Sequence, residues 1–202
     1  DPPYGLNYRS NRPVATGNQK DFIANDKAED LVPLIQKVIP ELIRIMRENS
    51  EIYWFCSGGG GSPILAWAWL EFKKYEPDLR VKNLLVWDKQ FVGMGWDLRF
   101  QYETIFQLVK GKGINNLDKG ASNVISAKKV IPQAGEHPTP KSIEVLAELL
   151  KRKPSEFVLD PFAGGGSSLE AASLFKRKYI GIELEKKYCD IAEQRLKAIS
   201  NP

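Results

Sequence analysis

Between Phe157 and Ser168 the chain runs Phe157-Val158-Leu159-Asp160-Pro161-Phe162-Ala163-Gly164-Gly165-Gly166-Ser167-Ser168, and this stretch restricts the fold more than any other. A short apolar run enters a glycine-rich turn, and a helix-patterned segment leaves it, which predicts strand, turn, helix. Glycine in such a turn accepts left-handed dihedrals and lets the backbone approach a ligand closely. The next apolar run, Tyr179 to Leu184, predicts a neighbouring strand. Glu183 near its end lies 19 residues beyond Gly164. A carboxylate at that place suits the two hydroxyls of a ribose.

The ligand class can be narrowed. No lysine follows the glycines, so the phosphate loop GxxxxGK[ST] is absent, and Leu169 stands where a dinucleotide fingerprint needs its third glycine. Asp160 before the turn favours an amine-bearing or cationic ligand over a pyrophosphate. S-adenosylmethionine carries an amine, a sulfonium and a ribose, and fits all three features. A tight turn without a ligand would have little use for three glycines flanked by Asp-Pro-Phe.

Elsewhere, apolar residues at helical spacing predict a helix over 31–48, entered at Asp30 and kinked or divided at Pro40. Strands are predicted over 51–56, 81–87, 102–109, 157–160 and 179–184. Helices are predicted from Ser62-Pro63 to about Tyr75 and over 142–151, 168–175 and 187–199. Residues 110–136 read as a loop. This alternation predicts an α/β, three-layer Rossmann-like fold with a mostly parallel sheet, which binds ligands at the carboxyl ends of its strands. Trp54, Trp67, Trp69 and Trp87 are expected in the core.

The length of 202 residues suits one domain, and 43% apolar with 27% charged residues excludes a disordered tail or a disulfide-stapled miniprotein. Two cysteines, Cys56 and Cys189, with a single histidine form no zinc framework, so no metal is expected, and reduced thiols point to a cytoplasmic location. The longest apolar run, Ile64 to Phe72, contains Glu71 and falls short of the roughly 18 residues a membrane span needs. The opening residues lack the pattern of a signal peptide. A net charge of +4 permits an anionic partner.

Asp1-Pro2-Pro3-Tyr4 has chemistry of its own. Methylating an exocyclic amine requires a nitrogen lone pair that is delocalised into the base ring. A carboxylate (Asp1) and a backbone carbonyl (Pro2) can accept the amine hydrogens and expose that lone pair. Pro3 stiffens the turn, and Tyr4 can stack on a base taken out of the helix.

The combination resembles the amino-directed DNA methyltransferases, which modify adenine N6 or cytosine N4, over nearly the whole chain. Asp1, Pro2, Pro3 and Tyr4 match the family's catalytic tetrapeptide. Asp160, Pro161, Phe162, Ala163, Gly164, Gly166, Ser167 and Ser168 match its S-adenosylmethionine loop, and Glu183 with Leu184 its ribose-binding strand end. His137-Pro138-Thr139-Pro140-Lys141 is similar to a motif contacting the methionine carboxylate. The resemblance thus implies Thr139 and Lys141 as cofactor contacts, while His137 itself reads as a helix-entry packing residue and not as a catalytic base. Gly93-Met94-Gly95-Trp96, Arg99 and Gln101-Tyr102-Glu103 resemble a segment near the target base.

Tetrapeptide first and cofactor loop last is the order of the permuted beta class. The resemblance then divides the single domain into a catalytic half (1–112), a short variable segment (113–136) and a cofactor half (137–202). Aspartate at position 1 favours adenine N6, since cytosine N4 enzymes more often carry serine there. The family also has a strand leading into the tetrapeptide, so upstream residues are expected in the natural protein. Tyr8, Arg9 and Arg12, in a possible lid over 7–26, and Lys128 and Lys129 are candidate DNA contacts. The family analogy allows a homodimer. An inactive DNA-binding subunit of the same fold is the alternative, and a nicotinamide-dependent oxidoreductase is disfavoured by Leu169 and Asp160.

Overall fold

The computed structural model describes residues 1–7, 23–58, 63–93, 97–115, 117–132 and 137–200. The elements run α1 (Leu31–Ile45), β1 (Glu51–Ser57), α2 (Ile64–Lys73), β2 (Arg80–Asp88), β3 (Tyr102–Val109), β4 (Val124–Ser126), α3 (Ile143–Lys151), β5 (Phe157–Asp160), α4 (Ser167–Leu174), β6 (Lys178–Gly181) and α5 (Lys186–Ser200). The fold is α/β, as the alternating pattern predicts, but the strands form two sheets, β1-β3-β2-β4 and β5-β6, and the first is not wholly parallel. Strands β5 and β6 pair in parallel, as do β2 and β4, while β3 runs antiparallel to both β1 and β2. Among the described residues no helix separates β2 from β3, and the two strands pair antiparallel.

Strand alternation builds the layers. Trp54 and Cys56 of β1 and Phe106 and Leu108 of β3 face α1 and α2, where they meet Leu31, Ile35, Ile39, Ile64 and Phe72. Their neighbours Phe55 and Ile105 face the other way, with Leu85 and Trp87, onto Val145 and Leu149 of α3. Each such side chain fully withdrawn from water contributes about 1.5–3 kcal/mol.

Three local expectations change, and of the two outcomes expected at Pro40 division does not occur, since α1 runs through it. Pro40 lies on the exposed face, where water can satisfy the carbonyl that loses its partner. Trp54 and Trp87 are buried, but Trp67 and Trp69 are each 39% exposed. The face α2 buries is Ile64, Ala68, Glu71 and Phe72, and both tryptophans flank it. Within 110–136, the strand β4 was too short to show alternation. Ile125 and Ala127 are nevertheless buried, and the Trp87 indole donates to the Ala127 carbonyl at 2.8 Å. Finally, Asp30 does not cap α1 with its side chain, which instead accepts from the Lys27 amide at 3.2 Å.

At the amino end of β1, Glu51 is a buried hub. It accepts from Lys153 Nζ (2.9 Å), the Ile114 amide (2.9 Å), Gln107 (2.9 Å) and the Tyr53 hydroxyl (3.2 Å). Side-chain exposures of 3% for Glu51 and 5% for Lys153 make this an ion pair out of water.

Strand β1 has β3 on one side, and β5 has β6 on one side. Residues of both strands line a single cleft of about 2140 Å³, which also receives Asp1 to Tyr4 and the glycine turn.

Candidate active site

The glycine turn owes its shape to Asp160 and Glu183. Asp160, ending β5, accepts from the Phe162 amide at 2.9 Å and from the Ser168 hydroxyl, so one carboxylate ties the start of the turn to the start of α4. Gly164 and Gly166 have φ of +50° and +80°, the left-handed region that penalises a Cβ. A Cβ on Gly166 would also lie 2.8 Å from the Cβ of Ala192, so α5 packs directly on the turn. Glu183 accepts from the Gly164 amide and the Glu185 amide, both at 2.8 Å. An ionised carboxylate offers about four acceptor sites, which leaves capacity for two ribose hydroxyls.

The cradle fits S-adenosylmethionine: an open glycine backbone, an acid ending β5, a second acid (Glu183) two residues beyond β6, which ends at Gly181 and not at Leu184, and a cleft against the turn. The expected contacts Thr139, Asp160, Pro161, Phe162, Ala163, Gly164, Ser167, Ser168, Glu183 and Leu184 all line that cleft. Gly166 instead forms the entry to α4. The Ser167 hydroxyl accepts from Arg195 of α5 at 2.8 Å, a tie between two helices that sequence spacing does not reveal.

The tetrapeptide lies in the same cleft. Its exit is fixed by Asp26, 4% exposed, which accepts from the Gly5 amide at 2.7 Å and the Leu6 amide at 3.3 Å. Tyr4 donates its hydroxyl to Glu103 of β3 at 2.9 Å. Burial, followed by the Glu103 charge, pushes the Tyr4 phenol well above its ordinary range, so it stays neutral. Asp1 Oδ2 accepts from Lys141 Nζ at 2.9 Å, while Asp1 Oδ1 is buried with no hydrogen-bond partner in the described structure. Lys141 also reaches Glu103 at 3.4 Å and lies 5.0 Å from the centre of the Tyr4 ring. Lys89, just beyond β2, is the second cation on Glu103, also at 3.4 Å. Burial alone would raise the Glu103 carboxyl, but Lys141, Lys89 and the Tyr4 hydroxyl outweigh it and hold it below its ordinary range.

Lys141 is therefore found against the tetrapeptide, where the resemblance implied a cofactor contact. Glu103, Lys89 and Asp26 carried no assigned role in the sequence, because their spacing from Tyr4 becomes short only after β2 and β3 pair. Pairing Trp87 with Glu103 and Asp88 with Tyr102 is what brings the end of β2 and Lys89 alongside. His137 lies on the glycine turn: its ring meets Tyr188 edge-on at 4.5 Å, and its Nδ1 accepts from the Thr139 amide at 3.3 Å. Lys128 and Lys129 are exposed. Tyr8, Arg9 and Arg12, most of the expected lid, and Met94, Gly95 and Trp96 lie outside the described residues.

Comparison with known proteins agrees with this geometry. The DNA methylase family of N6/N4 methyltransferases matches residues 1–194. YubD of Escherichia coli (strain K12), a candidate methylase, is 29% identical over 201 residues, covering 98% of this chain and 80% of that protein. Type II methyltransferase M2.DpnII of Streptococcus pneumoniae is 35% identical over 101 residues, covering 49% of this chain but only 36% of that protein. Among solved structures, the M1.HpyAVI–SAM complex superposes with a TM-score of 0.66 at 24% identity, over 85% of this chain and 84% of that one.

Proposed function

This chain belongs to the DNA methylase family of N6/N4 methyltransferases, and from that premise we propose that it methylates adenine N6 in DNA with S-adenosylmethionine as donor. The meeting of Asp1 and the glycine turn in one cleft is the observation that supports this most directly. Bound at the turn, the cofactor supplies an electrophilic methyl group. The chain's own residues then do the rest. Asp1 Oδ1, buried and without a partner, and the Pro2 carbonyl accept the two amine hydrogens and localise the nitrogen lone pair. Tyr4, neutral and anchored on Glu103, offers a ring face to the base. Positioning and fixed acceptors of this kind account for most of the rate in a direct transfer. Thr139, Asp160 to Gly164, Ser168, Glu183 and Leu184 serve the cofactor. Lys128 and Lys129 serve the DNA phosphates, and affinity that does not fall with salt would count against that last role.

Aspartate at position 1 favours adenine over cytosine. The test is nucleoside mass spectrometry of unmethylated DNA after exposure to the protein and donor. N6-methyladenine is the expected product. N4-methylcytosine would move the assignment to the other base, and DNA binding without any methylation would leave an inactive subunit.

A further inference from the structure

We infer that Lys141, held in place by Glu103, is a positioning residue for Asp1 and not a cofactor contact. The inference rests on the methyltransferase reading and adds to it. Lys141 lies just ahead of α3, and its ammonium is enclosed by groups from three other places in the fold. Asp1 Oδ2 lies at 2.9 Å and Glu103 Oε2 of β3 at 3.4 Å. The rings of Tyr4 and Phe55 lie 5.0 and 5.6 Å from it. Its side chain is 10% exposed. A lysine so enclosed has no freedom to follow a ligand, and its charge is committed to Asp1 and Glu103.

The arrangement divides the two oxygens of Asp1. Oδ2 is held by the ammonium, and Oδ1 is left as a buried acceptor. Glu103 completes the device by binding Lys141 and the Tyr4 hydroxyl through the same oxygen, so acid, lysine and aromatic ring are tied at one point.

Charge balance shows why a cation is needed. The Asp1 amino group faces the carboxylates of Asp160 and Glu103 and the Lys141 ammonium, and Lys141 also pairs the Asp1 carboxylate; Lys89 is the second cation on Glu103, and the Cys56 thiol and Asp26 face Tyr4. Burial pushes the Cys56 thiol up to about 12, so it contributes no charge near neutrality. With Lys141 removed, the carboxylates of Asp1, Glu103 and Asp160 would lose the ammonium that pairs Asp1 directly, leaving Lys89 on Glu103 and the Asp1 amino group, itself disfavoured as a cation by burial, to balance them. Like charges that close favour uptake of a proton by one of them. A protonated Asp1 would have lost much of its power to accept the amine hydrogens.

The experiment compares wild type with Lys141→Met, Lys141→Arg and Glu103→Gln. Each is assayed for methyl transfer across pH and, separately, for S-adenosylmethionine binding by calorimetry. Lys141→Met is expected to lower kcat by at least about thirtyfold, to move the acid limb of its pH profile to higher pH, and to leave cofactor affinity within about threefold. Lys141→Arg is expected to recover part of kcat, and Glu103→Gln to lower kcat less than Lys141→Met does. A Lys141→Met protein that keeps its kcat, or that loses cofactor affinity in proportion to activity, would overturn the inference. Unfolding is read independently from the calorimetric cofactor binding of Glu103→Gln and Lys141→Arg. An inactive wild type would instead refute the parent reading.

Discussion

Asp1→Ala is expected to reduce methyl transfer roughly a hundred- to a thousandfold, the usual effect of deleting one fixed hydrogen-bonding group at a reacting centre. S-adenosylmethionine binding should stay within about twofold, because the glycine turn is held by Asp160 and Glu183 and not by the tetrapeptide. The reason for so large a loss is the division of the carboxylate already described. Oδ1 is a buried acceptor without a partner among the described residues; on the proposed mechanism it accepts an amine hydrogen, and alanine would leave nothing there to do so. Asp1→Asn should fall between, since the amide oxygen still accepts but carries no charge. Glu183→Ala provides the opposite signature. It removes the acceptor of the Gly164 and Glu185 amides, and cofactor affinity should drop about 10- to 100-fold, the worth of charged hydrogen bonds. Rate assays at saturating cofactor with calorimetry in parallel separate the two. Retained transfer by Asp1→Ala would refute the catalytic assignment of that residue.

Glu51→Gln is expected to be the most destabilising conservative change in the protein. The amide keeps the size of the side chain but removes the charge opposite Lys153, and both side chains are almost completely out of water. Breaking a buried pair from one side costs about 3–5 kcal/mol, which for a chain of this size lowers Tm by roughly 10 °C. The loss should spread, because Glu51 also holds the Ile114 amide, Gln107 and Tyr53. Removing Lys153 as well, in the pair Glu51→Gln with Lys153→Met, should return part of the loss, since no buried charge is then stranded. Calorimetric melting of the single and double variants checks this. A Tm change under about 2 °C for Glu51→Gln would show that water reaches the pair.

The parts of the site that lie close in sequence were readable without coordinates. Asp160 and Ser168 are eight residues apart and meet within one turn. Gly164 and Glu183 are 19 apart and meet because β5 and β6 pair in parallel, the arrangement their pattern implied. Local spacing failed where partners come from opposite ends of the chain. Tyr4 and Glu103 are 99 residues apart, and Glu51 and Lys153 are 102 apart. Nothing in the period of β3 distinguishes Glu103 from a solvent-facing acid, since it stands beside the exposed Tyr102. Trp67 and Trp69 misled for a related reason. Hydrophobicity predicts that a residue can be buried, while the packed face of a ten-residue helix decides which ones are.

By itself, the sequence determined the strand–turn–helix that frames the cofactor site, the acid that follows the adjacent strand and the presence of an acid and an aromatic ring in the first four residues. These depend on dihedral preference and short-range periodicity, which a linear pattern records. Only the tertiary structure decided that Lys141 lies against Asp1, that Glu103 binds lysine and tyrosine together, and that Glu51 is buried at the amino end of β1. Those contacts exist because antiparallel pairing through β3 folds distant carboxylates into low-dielectric surroundings, where a charge must find its partner wherever the chain happens to bring one.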